Sequence, residues 1–80
     1  MLIYDQQRTT IANLTSIKFI EVYVDNSNDI YKICCDYKGE LFSLGNYKSV
    51  IGVATVMNEI LAAYEKNKRV FYMPIDLEES

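Results

Sequence analysis

Residues 17–44 read IKFIEVYVDNSNDIYKICCDYKGELFSL, and this stretch decides the fold. Its first eight residues are rich in β-branched and aromatic side chains, which suit a pleated, half-buried strand. Asp25, Asn26, Ser27, Asn28 and Asp29 then form a turn cluster, because short polar side chains bond nearby backbone and tolerate left-handed geometry. Residues 30–37 resume the strand pattern. Lys38-Gly39 closes a tight hairpin into residues 40–44, with Gly39 supplying the positive φ that such a turn requires. Gly45-Asn46 reads as the end of that strand. The stretch is therefore an antiparallel meander.

Outward on the C-terminal side comes a helix. Ser49 is suited to cap it, since its hydroxyl can accept from a free backbone N–H of the first turn. Gly52 stands where a capping box needs Glu or Gln. At about 100° per residue, Val50, Val53, Ala54, Met57, Ile60, Leu61 and Tyr64 share one broad stripe, with Val56 at its edge. Asn58, Glu59, Glu65 and Lys66 lie opposite. Asn67 suits the left-handed residue that ends a helix, and Lys66 and Lys68 complement the negative end of its dipole. Residues 69–73, RVFYM, make a last strand that Pro74 terminates. On the N-terminal side, residues 2–5 read as a short strand, residues 6–10 as a polar stretch, and residues 11–14 can resume pairing. The expected order is β-β-β-β-α-β. It makes an α+β fold, an antiparallel β-sheet with one amphipathic helix packed on one face. Residues 1–74 are expected to form a single domain and residues 75–80 an acidic C-terminal tail.

The chain has 80 residues and a net charge of −3, with its basic residues scattered apart from Lys66, Lys68 and Arg69. It lacks the positive footprint that phosphate-backbone binding requires, so nucleic acid is not an expected partner. The longest stretch without a charged residue falls between Lys48 and Glu59, too short for a membrane span. The first residues show no secretory pattern. Adjacent Cys34 and Cys35 point to opposite faces of a strand, so two reduced thiols are expected, one in the core and one facing outward. These features fit a cytoplasmic setting.

There is no histidine. The commonest general base and metal ligand is thus missing, and so are triads built on it. The cysteine pair has no metal-site spacing. Gly39, Gly45 and Gly52 match no phosphate-binding loop, and Asp25 and Asp29 lack the remaining ligands of a calcium loop. Asp36 and Glu40 could supply a carboxylate pair, but strand geometry gives no reason to prefer them. The expectation is a chain that is not an enzyme and carries neither metal nor cofactor.

Its strands carry apolar residues on both faces, while one helix covers one face. The second set either wraps into a partly closed barrel or forms an exposed patch, and such patches mark partners. Phe19, Tyr23, Ile51, Phe71 and Met73 are the candidate interface residues, with a homodimer the commonest realisation. Ile51, Gly52, Ala62 and Ala63 add a small or apolar outer helix side. A small-molecule site is the alternative. Tyr47, Lys48 and Ser49 precede the helix N-terminus, where anions are favoured, and Arg69 and Tyr72 lie on the last strand.

The chain also resembles small proteins of Gram-positive bacteria and of their phages and mobile elements. The likeness lies in Asn13-Leu14, in Leu44-Gly45-Asn46-Tyr47-Lys48-Ser49, and in residues 59–74, EILAAYEKNKRVFYMP. It departs at Val50-Ile51-Gly52-Val53, where more acidic and lysine residues are expected, and this points to an added interface on the helix. The resemblance implies a protein-binding module that blocks a host protein, such as a defence nuclease, as a homo-oligomer. The alternatives are a sponge for a small nucleotide-like ligand at a subunit interface and a structural accessory protein.

Overall fold

The computed structural model describes residues 1–75. Its elements are β1 (Leu2–Tyr4), β2 (Ile11–Asn13), a 3-10 turn (Leu14–Ser16), β3 (Ile20–Asp25), β4 (Ile30–Tyr37), β5 (Glu40–Tyr47), α1 (Val50–Glu65) and β6 (Val70–Tyr72). The fold is α+β. The meander forms a sheet of order β3-β4-β5, antiparallel throughout. Lys38 and Gly39 both have positive φ, 53° and 85°, as a type I′ hairpin turn demands. The Asp36 carboxylate accepts from the Gly39 N–H at 3.1 Å.

The single sheet expected from the sequence is in fact two. β6 does not rejoin the meander but pairs parallel to β1, which pairs antiparallel to β2, giving a second sheet of order β2-β1-β6. Ile3, at the centre of β1, and Met73, just after β6, are fully buried. They meet Ile33, Cys35, Leu44 and Tyr47 of the meander and Val53, Val56 and Ile60 of α1 in one core. Met73 therefore belongs to the core rather than to an interface.

β5 also runs three residues further than expected. Ile33 pairs with Gly45 and Cys34 with Ser43, so Leu44 is an extra residue, a bulge that bends the strand. Gly45 then lets the chain pass the Tyr47 ring: a Cβ there would lie 3.0 Å from the Tyr47 hydroxyl oxygen.

Beside this shared core, the two sheets are tied by Gln6, in a segment that reads from sequence only as polar. Its backbone N–H donates to the Leu44 carbonyl at 2.8 Å. Its side-chain nitrogen donates to the carbonyls of Asn46 at 3.1 Å and Pro74 at 3.3 Å. Its side-chain oxygen accepts from the Asn46 N–H at 2.9 Å. The buried Tyr47 hydroxyl donates to the same Pro74 carbonyl at 2.7 Å. One amide thus ties the start of the chain, β5 and the exit of β6.

Gln6 is placed by a turn built around buried Asp5. The Asp5 carboxylate accepts from the N–H groups of Thr9 at 2.8 Å and Thr10 at 3.0 Å, and from the Thr9 hydroxyl at 3.2 Å. Burial pushes this carboxyl up, but the hydrogen bonds outweigh it and hold it below the ordinary carboxylate value. Arg8 adopts a left-handed conformation, φ 62°, to complete the turn.

Gln6→Ala should lower the unfolding free energy by about 2 kcal/mol and Tyr47→Phe by about 1 kcal/mol, read from urea transitions. Unchanged midpoints would mean that the sheets are joined otherwise. Because the folded Asp5 value is depressed, its stabilisation is complete above the unfolded value of about 3.9 and disappears as pH falls through the folded one. Asp5→Asn should therefore flatten the acid limb of the stability–pH curve, and a variant as acid-labile as the parent would rule this out.

Candidate functional site

Only two residues, Lys48 and Ser49, separate β5 from α1. The Ser49 hydroxyl accepts from the Gly52 N–H at 2.9 Å and so caps the helix. A Cβ at Gly52 would sit 2.9 Å from that oxygen, which explains the glycine in the first turn. At the other end Asn67 is left-handed at φ 57°, with N–H bonds from Asn67 to the Tyr64 carbonyl and from Lys68 to the Ala63 carbonyl, both 3.0 Å. This paired arrangement is a Schellman motif.

The buried Tyr47 and the short link set the roll of the helix, and the roll differs from the expected one. Val53, Val56, Ile60 and Ala63 are buried. Ala63, placed from sequence on the outer side, lies inside. Val50, Ala54, Leu61 and Tyr64, placed from sequence on the inner stripe, are exposed, and Met57 is half-buried. Together with Met57, the exposed set recurs at steps of four, three, four and three residues, a narrow seam of the kind helices use to pair. Val50 is 59 % exposed, Ile51 80 %, Leu61 57 % and Tyr64 59 %. No charged residue lies between positions 49 and 58 to interrupt it. Beside the seam runs an apolar groove of about 610 Å³, lined by Met57, Leu61 and Tyr64 of α1 and by Met1, Leu14 and Ile20. Seam and groove together form the candidate site.

The other candidate interface residues scatter. Phe19, Tyr23 and Ile51 are exposed, whereas Phe71 is half-buried against the core. Phe19 and Tyr23 lie on the meander face away from Ile33 and Cys35, not on the seam.

The five candidate ligand residues are not gathered into one cavity. Tyr47 is buried and its hydroxyl holds Pro74, and the Ser49 hydroxyl is the helix cap. Arg69 lines one groove, with Met1, Leu2 and Asn13, and Tyr72 lines another, with Glu59, Ala62 and Lys66. One face of Tyr72 is also occupied. Parallel pairing sets Tyr72 opposite Tyr4, their ring centroids 5.8 Å apart, and the Arg8 guanidinium carbon lies 5.4 Å from both. Arg8 in turn donates to the Tyr4 and Asp5 carbonyls. Sequence reasoning missed this cluster, since only the β1–β6 pairing brings Tyr72 to the turn.

Cys34 and Cys35 are unpaired and both buried, so the outward thiol expected from the sequence is covered. Burial pushes both thiols above their ordinary value, with Lys32 partly opposing this at Cys34. Among the described residues, no cluster of three or more Asp, Glu and Cys side chains is placed to hold a metal ion. No helix of the described residues is long and apolar enough to cross a membrane. The expected acidic tail lies, beyond exposed Ile75, outside the described residues.

At neutral pH both thiols should react with an aromatic disulfide at least about tenfold more slowly in the folded chain than in urea. Equal rates would show that Cys34 is open to solvent. Comparison of the chain with protein-family models, with curated proteins and with solved structures found no match.

Proposed function

We propose that this chain is a protein-binding module that performs no chemistry of its own and self-associates through the exposed seam of α1. The observation that carries the proposal is that seam, on which Val50, Leu61 and Tyr64 are each more than half exposed beside an apolar groove, with Ile51 exposed on the adjoining outer side. Apolar patches of this kind are costly to leave in water and mark contact surfaces.

Self-association fits the spacing of sizes along the helix. Small Val50 and Ala54 lie in its N-terminal half and large Leu61 and Tyr64 in its C-terminal half. Two copies running antiparallel about Met57 set small against large, and the same surface serves both partners, as two-fold symmetry requires. Four half-exposed side chains from each copy, at about 1 kcal/mol each, give about 8 kcal/mol of gross burial. Association costs about 4 to 15 kcal/mol, so the groove residues Met1, Leu14 and Ile20 have to contribute, and a modest affinity is expected. In the setting that the resemblance implies, a chain of this kind acts by occupying a host protein. A nucleotide sponge has less support, because its candidate residues do not converge.

Leu61→Glu places a charge within the seam on an exposed residue, so the fold should tolerate it. In sedimentation velocity the parent is expected to shift from monomer to dimer as concentration rises, and Leu61→Glu to stay monomeric with an unchanged circular dichroism spectrum. A parent that sediments as a monomer at every concentration would overturn the self-association, and so would a variant that still dimerises.

A further inference from the structure

β3 is the outermost strand of the meander, with β4 on one side and, among the described residues, no strand on the other. Antiparallel pairing turns the backbone groups of alternate residues towards the partner and the rest away. The bond from the Asp36 N–H to the Phe19 carbonyl sets that alternation. Phe19, Glu21, Tyr23 and Asp25 therefore bond towards β4, and Ile20, Val22 and Val24 present their N–H and C=O groups outward.

Edge strands are usually blunted by lysine, proline, a bulge or a covering segment. Residues 20–25, IEVYVD, have no lysine or proline, and their register against β4 is unbroken. Val22 is 38 % exposed, Tyr23 45 % and Val24 51 %. α1 packs chiefly on β4 and β5 and approaches β3 only near Ile20 at its start.

The charge around this edge is one-sided. Glu21 and Asp25 stand four residues apart on one face, with Asp36 of β4 on the same face and Lys32 as the opposing cation. The Glu21 carboxylate pushes the neighbouring Tyr23 phenol above its ordinary value. Hydrogen bonds to Asp25 from the Asn28 side chain and the Ser27 N–H hold its carboxyl below the usual range.

We infer that β3 accepts, as an added antiparallel strand, an extended protein segment that alternates basic and apolar residues. Residues directly opposite across a pair interact most strongly. Lys or Arg at two positions four apart would face Asp25 and Glu21, and the apolar residues between would lie beside Val24 and Val22 on the other face. Backbone bonds to the outward groups of Ile20, Val22 and Val24 would supply the affinity, as in other cases of strand addition. The inference rests on the protein-binding proposal but not on the α1 seam.

The test uses the full chain and a short fluorescent peptide containing Lys-Val-Thr-Val-Lys, followed by anisotropy. Binding to the parent is expected, together with loss of binding when the peptide is N-methylated on its edge-facing amides. Val22→Pro removes an outward N–H without breaking the β4 ladder, and it should also abolish binding. Glu21→Lys with Asp25→Lys should weaken binding about tenfold, as should exchanging both peptide lysines for glutamate. Absence of binding to the parent would overturn the inference, as would equal affinity for the methylated or the acidic peptide. Self-association that disappears in Val22→Pro while the peptide stays unbound would assign the edge to a second copy and likewise overturn it. Leu61→Glu should bind the peptide as the parent does, so failure of the seam and failure of the edge are read separately.

Discussion

The Gln6 carboxamide is the constraint on which the rest of the structure depends. Two three-stranded sheets in an 80-residue chain have little core to share, and small domains bury a low fraction of their surface. Here one amide bridges them, bonding Asn46 in both directions and reaching the Pro74 carbonyl that Tyr47 also holds. Removing it would take this partner from the half-buried N–H and C=O of Asn46, which can cost more than the bonds themselves contribute. Because Tyr47 is fixed in this way three residues before α1 begins, the clamp also constrains which side of the helix can face the core. Fold and exposed surface thus share one origin.

Much of the fold was legible in the sequence where the signal is local. The meander, its Lys38-Gly39 turn, the Ser49 cap and the Asn67 terminator all depend on neighbouring residues, and each was read from them. What was not legible depends on contacts across the chain. Gly45-Asn46 looks like a strand end because its partner in bonding, Gln6, lies 40 residues away. β6 could not be assigned to β1 because parallel pairing leaves no turn to recognise. The roll of α1 was misjudged for a similar reason. Val50, Ala54, Met57, Leu61 and Tyr64 do form an apolar stripe, and nothing within the helix says that the core takes the neighbouring stripe instead. The surplus of apolar stripes was readable. Which of them the core would leave exposed was not.

The same distinction clarifies the segment Leu44-Gly45-Asn46-Tyr47-Lys48-Ser49. Leu44 fills the core at the bulge, Gly45 makes room for Tyr47, and Asn46 receives Gln6. Tyr47 then anchors Pro74, and Ser49 caps α1. A stretch that looks like a candidate binding motif is occupied by structural tasks, whereas Ile51 and Leu61 are left exposed.

If the α1 seam, and not the core-facing side of the helix, is a contact surface, the methionines will report it. Met57 lies at the middle of the seam, half-buried, and Met73 is fully buried in the core. Methyl NMR over a range of protein concentrations should show the Met57 signal moving as copies associate while Met73 stays fixed. A Met57 signal indifferent to concentration, or one that moves only together with Met73, would contradict the account.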